Sequence, residues 1–242
     1  MTGDVPAVGA VKPGSDLRAR VISAIVMLLV AGGAFWFGGP VLDLFVVAVS
    51  FVTLLELMKL VEQATVSPLL RVAGTLAGVA YIGAAAVSLI VLPSFLVAMA
   101  VGVVIFTDTG AYFTGRRFGR HKIAPAISPS KTWEGLIGGM IAAGLFGALA
   151  LGFVVLAASA LSPHKPSVPW QAMMAGAAIG AVLAIAAQAG DFLESWLKRK
   201  AGVKDSGKLI PGHGGVFDRV DGLLPVAIIG GAAALIYTMA AY

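Results

Sequence analysis

The chain has 242 residues, of which 59% are hydrophobic and only 12% are charged, and it contains no cysteine. A soluble domain of average composition is about 25% charged, so these few charges would not cover a water-soluble surface. The missing cysteines exclude disulfides, thiolate nucleophiles and Cys-ligated zinc. The formal net charge of +5 favours contact with anionic lipid over nucleic acid. The composition therefore predicts an integral membrane protein.

The first segment of the chain is polar. Residues 1–20 contain prolines, glycines and basic side chains, and they predict a disordered cytoplasmic tail. The apolar run over residues 21–37 has the basic flank of a signal peptide, but it is long and further apolar segments follow it. We therefore interpret it as a first membrane span that the protein retains.

Apolar segments recur through the rest of the chain. Because residues 67–113 can divide differently around Pro93, we expect between about six and nine membrane spans. The sequence predicts an all-α polytopic bundle, with an N-terminal transmembrane region over residues 21–113 and a catalytic transmembrane region over residues 114–242. A span needs about 20 mostly apolar residues, and about seven segments qualify: Val21–Gly38, Val41–Val61, Val72–Leu92, Pro93–Phe113, Gly135–Ala160, Ala172–Glu194 and Gly222–Ala241.

Basic residues are concentrated in two loops between the predicted spans. Residues 114–134 and 195–221 hold most of the 17 Lys and Arg residues. The predicted spans place both loops and the basic N-terminus on one side, which the positive-inside rule assigns to the cytoplasm. Basic loops often indicate orientation alone. These loops also hold glycines and carboxylates, and carboxylates inside adjoining spans tend to be functional because they are costly there.

The sixth predicted span ends in a stripe of polar side chains. Asp191, Glu194, Ser195 and Lys198 follow the spacing i, i+3, i+4, i+7, so a continuing helix would present them on one face. Two interpretations stay open: the carboxylates bind a ligand, or they only pair with Lys198. The deeper position of Asp191 in the span favours a functional role for it.

The loop after the sixth span combines glycines, cations, carboxylates and a single histidine. Glycines allow tight turns and let backbone N–H groups approach an anion. Hard oxygen ligands hold Mg²⁺, and cations neutralise phosphate charge, so this composition suits chemistry on a nucleotide. A single histidine does not indicate a zinc site. The residues are Lys204, Asp205, Gly207, Lys208, Gly212, His213, Gly214, Gly215, Asp218, Arg219 and Asp221.

The loop before the fifth span repeats this chemistry. It follows Asp108 and Tyr112 of the fourth span and offers hydroxyl groups and a cation to a phosphate. Ser130 or Thr132 could equally be the N-cap of the next helix, with Glu134 in its first turn. The two roles are compatible, since a helix N-terminus also binds anions. The phosphate-binding candidates are Ser128, Ser130, Lys131 and Thr132.

At these residues the sequence resembles the CDP-diacylglycerol synthase family, also called the phosphatidate cytidylyltransferase family. The resemblance is carried by the stretch Ser195–Asp221, and upstream by Asp108–Tyr112 and Ile127–Gly135. Ser130 departs from the family pattern, in which many members have lysine at this position. The difference concerns one phosphate contact and leaves the rest of the motif intact.

The resemblance implies an activity, cofactors and a location. CTP and phosphatidic acid would give CDP-diacylglycerol and pyrophosphate, a step of phospholipid biosynthesis that requires Mg²⁺. Asp191 and Asp218 would bind the catalytic metals, and a second, monovalent cation such as K⁺ would accompany Mg²⁺. The protein would be a homodimer in the bacterial inner membrane, with its N-terminus and active-site loops in the cytoplasm. No nucleic acid partner is expected.

The other site residues fall into three predicted groups. The first would contact the phosphates of nucleotide and lipid, the second would bind phosphate from the other loop, and the third would contact the substrates or support these contacts. The first group is Lys198, Arg199, Lys204 and Arg219. The second is Ser128, Lys131 and Thr132. The third is Ser195, Asp205, His213, Asp221, Asp108 and Tyr112.

Two other functions are compatible with parts of the sequence. A CTP-dependent lipid kinase of the dolichol or phytol kinase type has a related basic motif but releases CDP. A transporter also carries ionisable groups inside its spans, but these are expected near the bilayer midplane. Here Asp108 and Asp191 lie near the predicted cytoplasmic ends of their spans, which favours the cytidylyltransferase.

Overall fold

The computed structural model describes residues 13–161 and 169–240. The prediction of an all-α membrane bundle is confirmed, with one addition: two short antiparallel strands lie in the loop before the fifth helix. In these residues the elements follow the order α1 (Pro13–Phe37), α2 (Gly39–Ala64), α3 (Pro68–Val91), α4 (Ser94–Phe118), β1 (Lys122–Ala124), β2 (Ser128–Thr132), α5 (Trp133–Ala160), α6 (Trp170–Ala201), α7 (Phe217–Val220) and α8 (Leu223–Ala240).

Six of the described helices, α1 to α6, are long and apolar enough to cross a membrane. The seventh predicted span corresponds to α8, whose apolar stretch Leu223–Ile236 is shorter. Pro93 separates α3 from α4, because its ring fixes φ and removes an N–H donor. Part of the predicted tail is helical, since α1 begins at Pro13; residues 1–12 lie outside the described part of the chain.

Helices α4, α5 and α6 pack with their backbones close together. The buried residues of α5 are all glycine or alanine. A methyl group added at Gly147 would collide with the carbonyl group of Gly176 in α6, and one added at Gly139 would meet the carbonyl oxygen of Thr107 in α4. Small residues permit such close packing between helices in lipid. This packing brings together the C-terminal parts of α4 and α6 and the start of α5, where the polar residues lie.

Helices α2, α3 and α8 share an apolar core that includes Leu60, Ile82 and Phe217. Phe217 belongs to the single-turn helix α7, so the polar loop between α6 and α8 is anchored in this core. Outward side chains of the long helices are apolar, as for Trp36 (87% exposed) and Phe153 (70% exposed), which suits a surface that faces lipid.

Candidate active site

A cavity of about 630 Å³ lies where α4 and α6 end and α5 begins. We call it the carboxylate cavity. It brings together residues of both predicted active-site loops, although these loops are separated by two spans in the sequence. The polar residues that line it are Asp108, Tyr112, Arg116, Lys122, Ser130, Lys131, Thr132, Gln188, Asp191, Asp218 and Asp221.

Three carboxylates form a cluster at this cavity. Oxygen atoms of Asp191, Glu194 and Asp221 lie within 4.8 Å of one another. Glu194 is 1% exposed, and its Oε1 has no hydrogen-bond partner among the described residues. Burial and the negative charge of Asp191 raise the pKa of Asp221 well above its ordinary value. An orphaned carboxylate oxygen and mutual repulsion both favour the binding of a cation here.

Two lysines offset part of the negative charge. Lys131 of β2 pairs with Asp191. Lys198 pairs with Glu194 (Nζ to Oε2, 2.5 Å) and with Asp218 (Nζ to Oδ1, 2.7 Å), and its side chain is only 14% exposed. The pairing that the sequence suggested within α6 therefore holds for Glu194, whereas Asp191 pairs with a lysine from the other loop.

Asp218 is held by its own loop. Its Oδ2 accepts hydrogen bonds from the backbone N–H groups of Ser206 (2.9 Å) and Gly215 (2.8 Å). Burial alone would raise the pKa of Asp218, but the hydrogen bonds from Lys198 and from these two amides hold it below its usual range. The carboxylate is thereby kept ionised and fixed in orientation.

The structure enlarges the set of candidate metal ligands. Asp191 clusters with Glu194 and Asp221, whereas Asp218, the second ligand that the resemblance implies, already accepts several hydrogen bonds. A metal-binding role for Asp218 stays a prediction. Glu194 was visible in the sequence as part of a polar stripe, but its proximity to Asp221 depends on the fold.

A second cavity, of about 570 Å³, adjoins the first. Asp218 lines the carboxylate cavity, and the next residue, Arg219, lines the second one. Gly212 and Gly214 have φ of 75° and 84°, a conformation that glycine adopts without strain. We call this the basic cavity, because four cations and one carboxylate line it together with His213 and the glycines: Arg20, Lys204, Lys208, Arg219 and Asp205.

Hydrogen bonds hold the loop around the basic cavity. Arg219 Nη2 donates to the carbonyl oxygen of His213 (2.9 Å). The hydroxyl of Ser23 in α1 donates to the carbonyl oxygen of Pro211 (2.9 Å). The hydrogen bond from Ser23 therefore connects α1 to the loop after α6 at the edge of the basic cavity.

Thr132 and Glu134 organise the start of α5. Thr132 is the N-cap of α5, and its hydroxyl accepts a hydrogen bond from the N–H of Gly135 (3.1 Å), so the capping interpretation is confirmed for it. Glu134 accepts hydrogen bonds from the N–H of Arg120 (3.2 Å) and contacts the ring Nδ1 of His121 (2.6 Å). These contacts fix the hairpin that carries Lys131.

Four predicted site residues line neither cavity: Ser128, Ser195, Lys198 and Arg199. Ser128 is 8% exposed in β2, and Ser195 is half-buried on α6. Arg199 donates from Nε to the carbonyl oxygen of Ile127 (3.3 Å) and so ties α6 to the hairpin. The structure thus gives Arg199 a position between two elements of the site.

Arg20, Arg116 and Lys122 line the cavities but were not among the predicted site residues. Arg116 Nη1 donates to the hydroxyl of Tyr112 (2.6 Å); the two residues are four positions apart, so helical spacing from Tyr112 could have indicated it. Arg20 had no such signal, because it meets a loop almost at the other end of the chain.

The fold and the site define a polytopic membrane protein that combines a buried carboxylate cluster with an adjoining basic cavity. The profile of the cytidylyltransferase family matches residues 92–237, which contain both predicted active-site loops. The chain belongs to the cytidylyltransferase family.

Individual proteins support this assignment. The phosphatidate cytidylyltransferase of Brucella suis biovar 1 (strain 1330) is 34% identical over 94% of both chains. That of Haemophilus influenzae (strain ATCC 51907 / DSM 11121 / KW20 / Rd) is 46% identical over 48% of this chain and 37% of its own length. That of Mycobacterium leprae (strain TN) is 40% identical over 52% of this chain and 36% of its own length. The resemblance carried by the sequence motifs is confirmed.

Proposed function

We propose that the protein is a phosphatidate cytidylyltransferase, which transfers CMP from CTP to phosphatidic acid. A phosphate oxygen of the lipid attacks the α-phosphorus of CTP, and the bond to pyrophosphate breaks. The observation that carries the proposal is the carboxylate cluster beside the basic cavity. Asp218 lines the carboxylate cavity and Arg219 lines the basic cavity, so the boundary between the two lies between these residues. The similarity to relatives of this name over nearly the whole chain supports it.

The carboxylate cluster fits Mg²⁺. Asp191, Glu194 and Asp221 offer hard oxygen ligands, and the orphaned Oε1 of Glu194 lacks another partner in the described residues. Asp218 lines the same cavity and remains a candidate ligand. When bound, Mg²⁺ would neutralise the charge of the phosphate group. A second, monovalent cation such as K⁺ belongs to the same proposal.

The basic residues divide the phosphate contacts between the two cavities. Lys131, Arg116 and Lys122 line the carboxylate cavity and contact the phosphate groups that react. The basic cavity holds the part of the triphosphate that leaves as pyrophosphate. Because the lipid phosphate is ionised near neutral pH, positioning and charge neutralisation replace a strong general base.

An apolar groove between α5 and α6 supports access for a lipid. It encloses about 460 Å³ and begins at Ile137, directly after Leu136, which lines the carboxylate cavity. Gly144 and Ala177 are among the small residues that line it. An acyl chain in this groove would remain in the bilayer while the phosphate group enters the cavity.

We propose that the active-site loops face the cytoplasm and that the protein is a homodimer. Since the chain has no cysteine, a single cysteine at the exposed Leu209 (62% exposed) reports the side of its loop. A membrane-impermeant maleimide should label it only from the cytoplasmic side. The mass of the protein in nanodiscs, measured by light scattering, should correspond to two chains.

Product analysis tests the proposed activity. Purified protein with CTP and phosphatidic acid should form CDP-diacylglycerol and pyrophosphate in equal amounts, and only with Mg²⁺ present. Release of CDP with a phosphorylated lipid would show a lipid kinase instead. Flux of a solute across liposomes without nucleotide turnover would show a transporter.

A further inference from the structure

Glu56 is a buried carboxylate that no step of the proposed reaction uses. It lies in the second half of α2 and is 5% exposed, next to buried Thr53, Leu57 and Leu60 of the same helix. An ionisable side chain inside a membrane span is costly unless polar partners surround it. The partners of Glu56 lie in the loop between α6 and α8, 150 or more residues further along the chain.

Both carboxylate oxygens of Glu56 accept hydrogen bonds from this loop. Oε2 accepts from the hydroxyl of Ser206 (2.9 Å) and the N–H of Phe217 (2.8 Å), and Oε1 accepts from the N–H of Val216 (3.1 Å). The two amides lie at the beginning of α7, where backbone N–H groups have no partner within the helix. Glu56 therefore supplies from α2 the acceptors that α7 lacks.

The loop is shaped around this carboxylate. A methyl group added at Gly207 or Gly215 would collide with the carboxylate of Glu56. The same loop holds Asp218, because the N–H groups of Gly215 and Ser206 donate to its Oδ2. The hydroxyl of Ser206 lies 2.9 Å from Oε2 of Glu56 and 2.9 Å from Oδ2 of Asp218. One residue thus connects the two carboxylates.

We infer that Glu56 is a positioning residue, which holds the loop over residues 206–217 in the conformation that presents Asp218 to the carboxylate cavity. It acts through Ser206 and through the amides at the start of α7 and does not touch the cavity itself. Its expected effect on turnover rests on the proposed function, whereas its effect on the loop does not. The N-terminal transmembrane region thereby takes part in forming the site.

Kinetics of matched variants test the first consequence. Glu56→Gln keeps the size of the side chain but replaces one acceptor oxygen with an NH₂ group. This hydrogen-bond donor would face one of the loop groups that donate to Glu56. We expect kcat to fall about 10- to 100-fold, as for supporting residues of metal sites. The KM for CTP should rise by a smaller factor, because residues within 207–214 of the same loop line the basic cavity. Glu62→Gln alters an exposed glutamate of the same helix and should leave both constants unchanged.

A double-mutant cycle separates positioning from general destabilisation. Ser206→Ala removes the hydroxyl group between the two carboxylates. Glu56→Gln combined with Ser206→Ala should lose little more than the worse single variant. Independent, multiplying losses would overturn the inference. So would a Glu56→Gln protein that turns over within about twofold of the original rate.

A spin label gives a readout that needs no substrate. Because the chain has no cysteine, a nitroxide at Leu209→Cys reports the mobility of the loop alone. The label should become more mobile with Glu56→Gln and with Ser206→Ala but not with Glu62→Gln. If Glu56→Gln does not purify as a monodisperse protein, Ser206→Ala alone decides, and an unchanged spectrum overturns the inference. A protein that forms no CDP-diacylglycerol would refute the proposed function and leave this comparison valid.

Discussion

The two cavities differ in charge although adjacent residues line them. The carboxylate cavity is lined by Asp218 and three further aspartates, and the basic cavity is lined by Arg219 and three further cationic residues. The first is built from the packed ends of α4, α5 and α6 and from the hairpin. The second is built from a glycine-containing loop and the start of α1. A single turn of backbone therefore separates a site suited to cations from one suited to phosphates.

Under the proposed function, this difference would let one loop serve two kinds of ligand. The carboxylate cavity needs a fixed geometry, because a cation requires oxygen atoms at defined distances. Helix packing between small residues and the ion pairs of Lys198 provide that geometry. The basic cavity needs positive charge at longer range, which long side chains on a loop can provide. Substitutions in the two cavities should consequently have different effects.

The largest effect is expected at the carboxylate cluster. Asp191→Asn removes a negative charge from the cluster and the partner of Lys131, so turnover should fall about 1,000-fold, equivalent to about 4 kcal/mol of transition-state stabilisation. Radioactive CTP incorporation into lipid measures it. Asp43→Asn, in the first turns of α2, is the control and should retain activity. Turnover of Asp191→Asn near the original rate would remove the cluster from the mechanism.

Loss of Lys198 should affect stability as well as activity. Lys198→Met leaves Glu194 and Asp218 without their shared cation, and breaking a buried ion pair costs about 3–5 kcal/mol. The midpoint of thermal unfolding in detergent should fall by several degrees. Lys200→Met changes an exposed lysine of the same helix turn and should leave the midpoint nearly unchanged. Equal shifts in the two variants would contradict a specific role for the buried pairs.

Arg20→Gln should weaken binding and leave the chemical step nearly intact. If the basic cavity holds the pyrophosphate end of CTP, the KM for CTP should rise about tenfold, or about 1.4 kcal/mol, with kcat changed little. Arg18→Gln, an exposed arginine of the same helix, is the control. A rise in the KM for phosphatidic acid alone would assign the basic cavity to the lipid phosphate and overturn the division proposed above.

The smallest effects are expected for two glycines with positive φ. Gly202 (φ 70°) ends α6 with open space around it, whereas a methyl group at Gly212 (φ 75°) would meet Arg20. Gly202→Ala and Gly212→Ala should each cost about 1 kcal/mol of stability, measured by thermal unfolding. Only Gly212→Ala should also raise the KM for CTP. If Gly202→Ala raised it equally, loop strain and not the basic cavity would be responsible.

The class of fold and the segments that carry the chemistry could be predicted from local features of the sequence. Apolar runs of span length predicted the long helices, and Pro93 marked the break between α3 and α4, because hydropathy and backbone constraints are local properties. The motif over residues 195–221 identified the family for the same reason: its glycines, cations and carboxylates are adjacent in the chain. The short hairpin before α5 escaped prediction because its strands are too short to show a pattern.

The contacts between charged residues from distant parts of the chain depend on the tertiary structure. Lys131 of the hairpin pairs with Asp191 of α6, Arg20 reaches a loop near the other end of the chain, and Glu56 of α2 binds the start of α7. None of these contacts has a periodicity that a sequence could display. They follow from helix packing, which brings the start of α1 together with the C-terminal parts of α2, α4 and α6. Burial then favours a partner for each charged group there, because an unpaired charge in a membrane protein is costly.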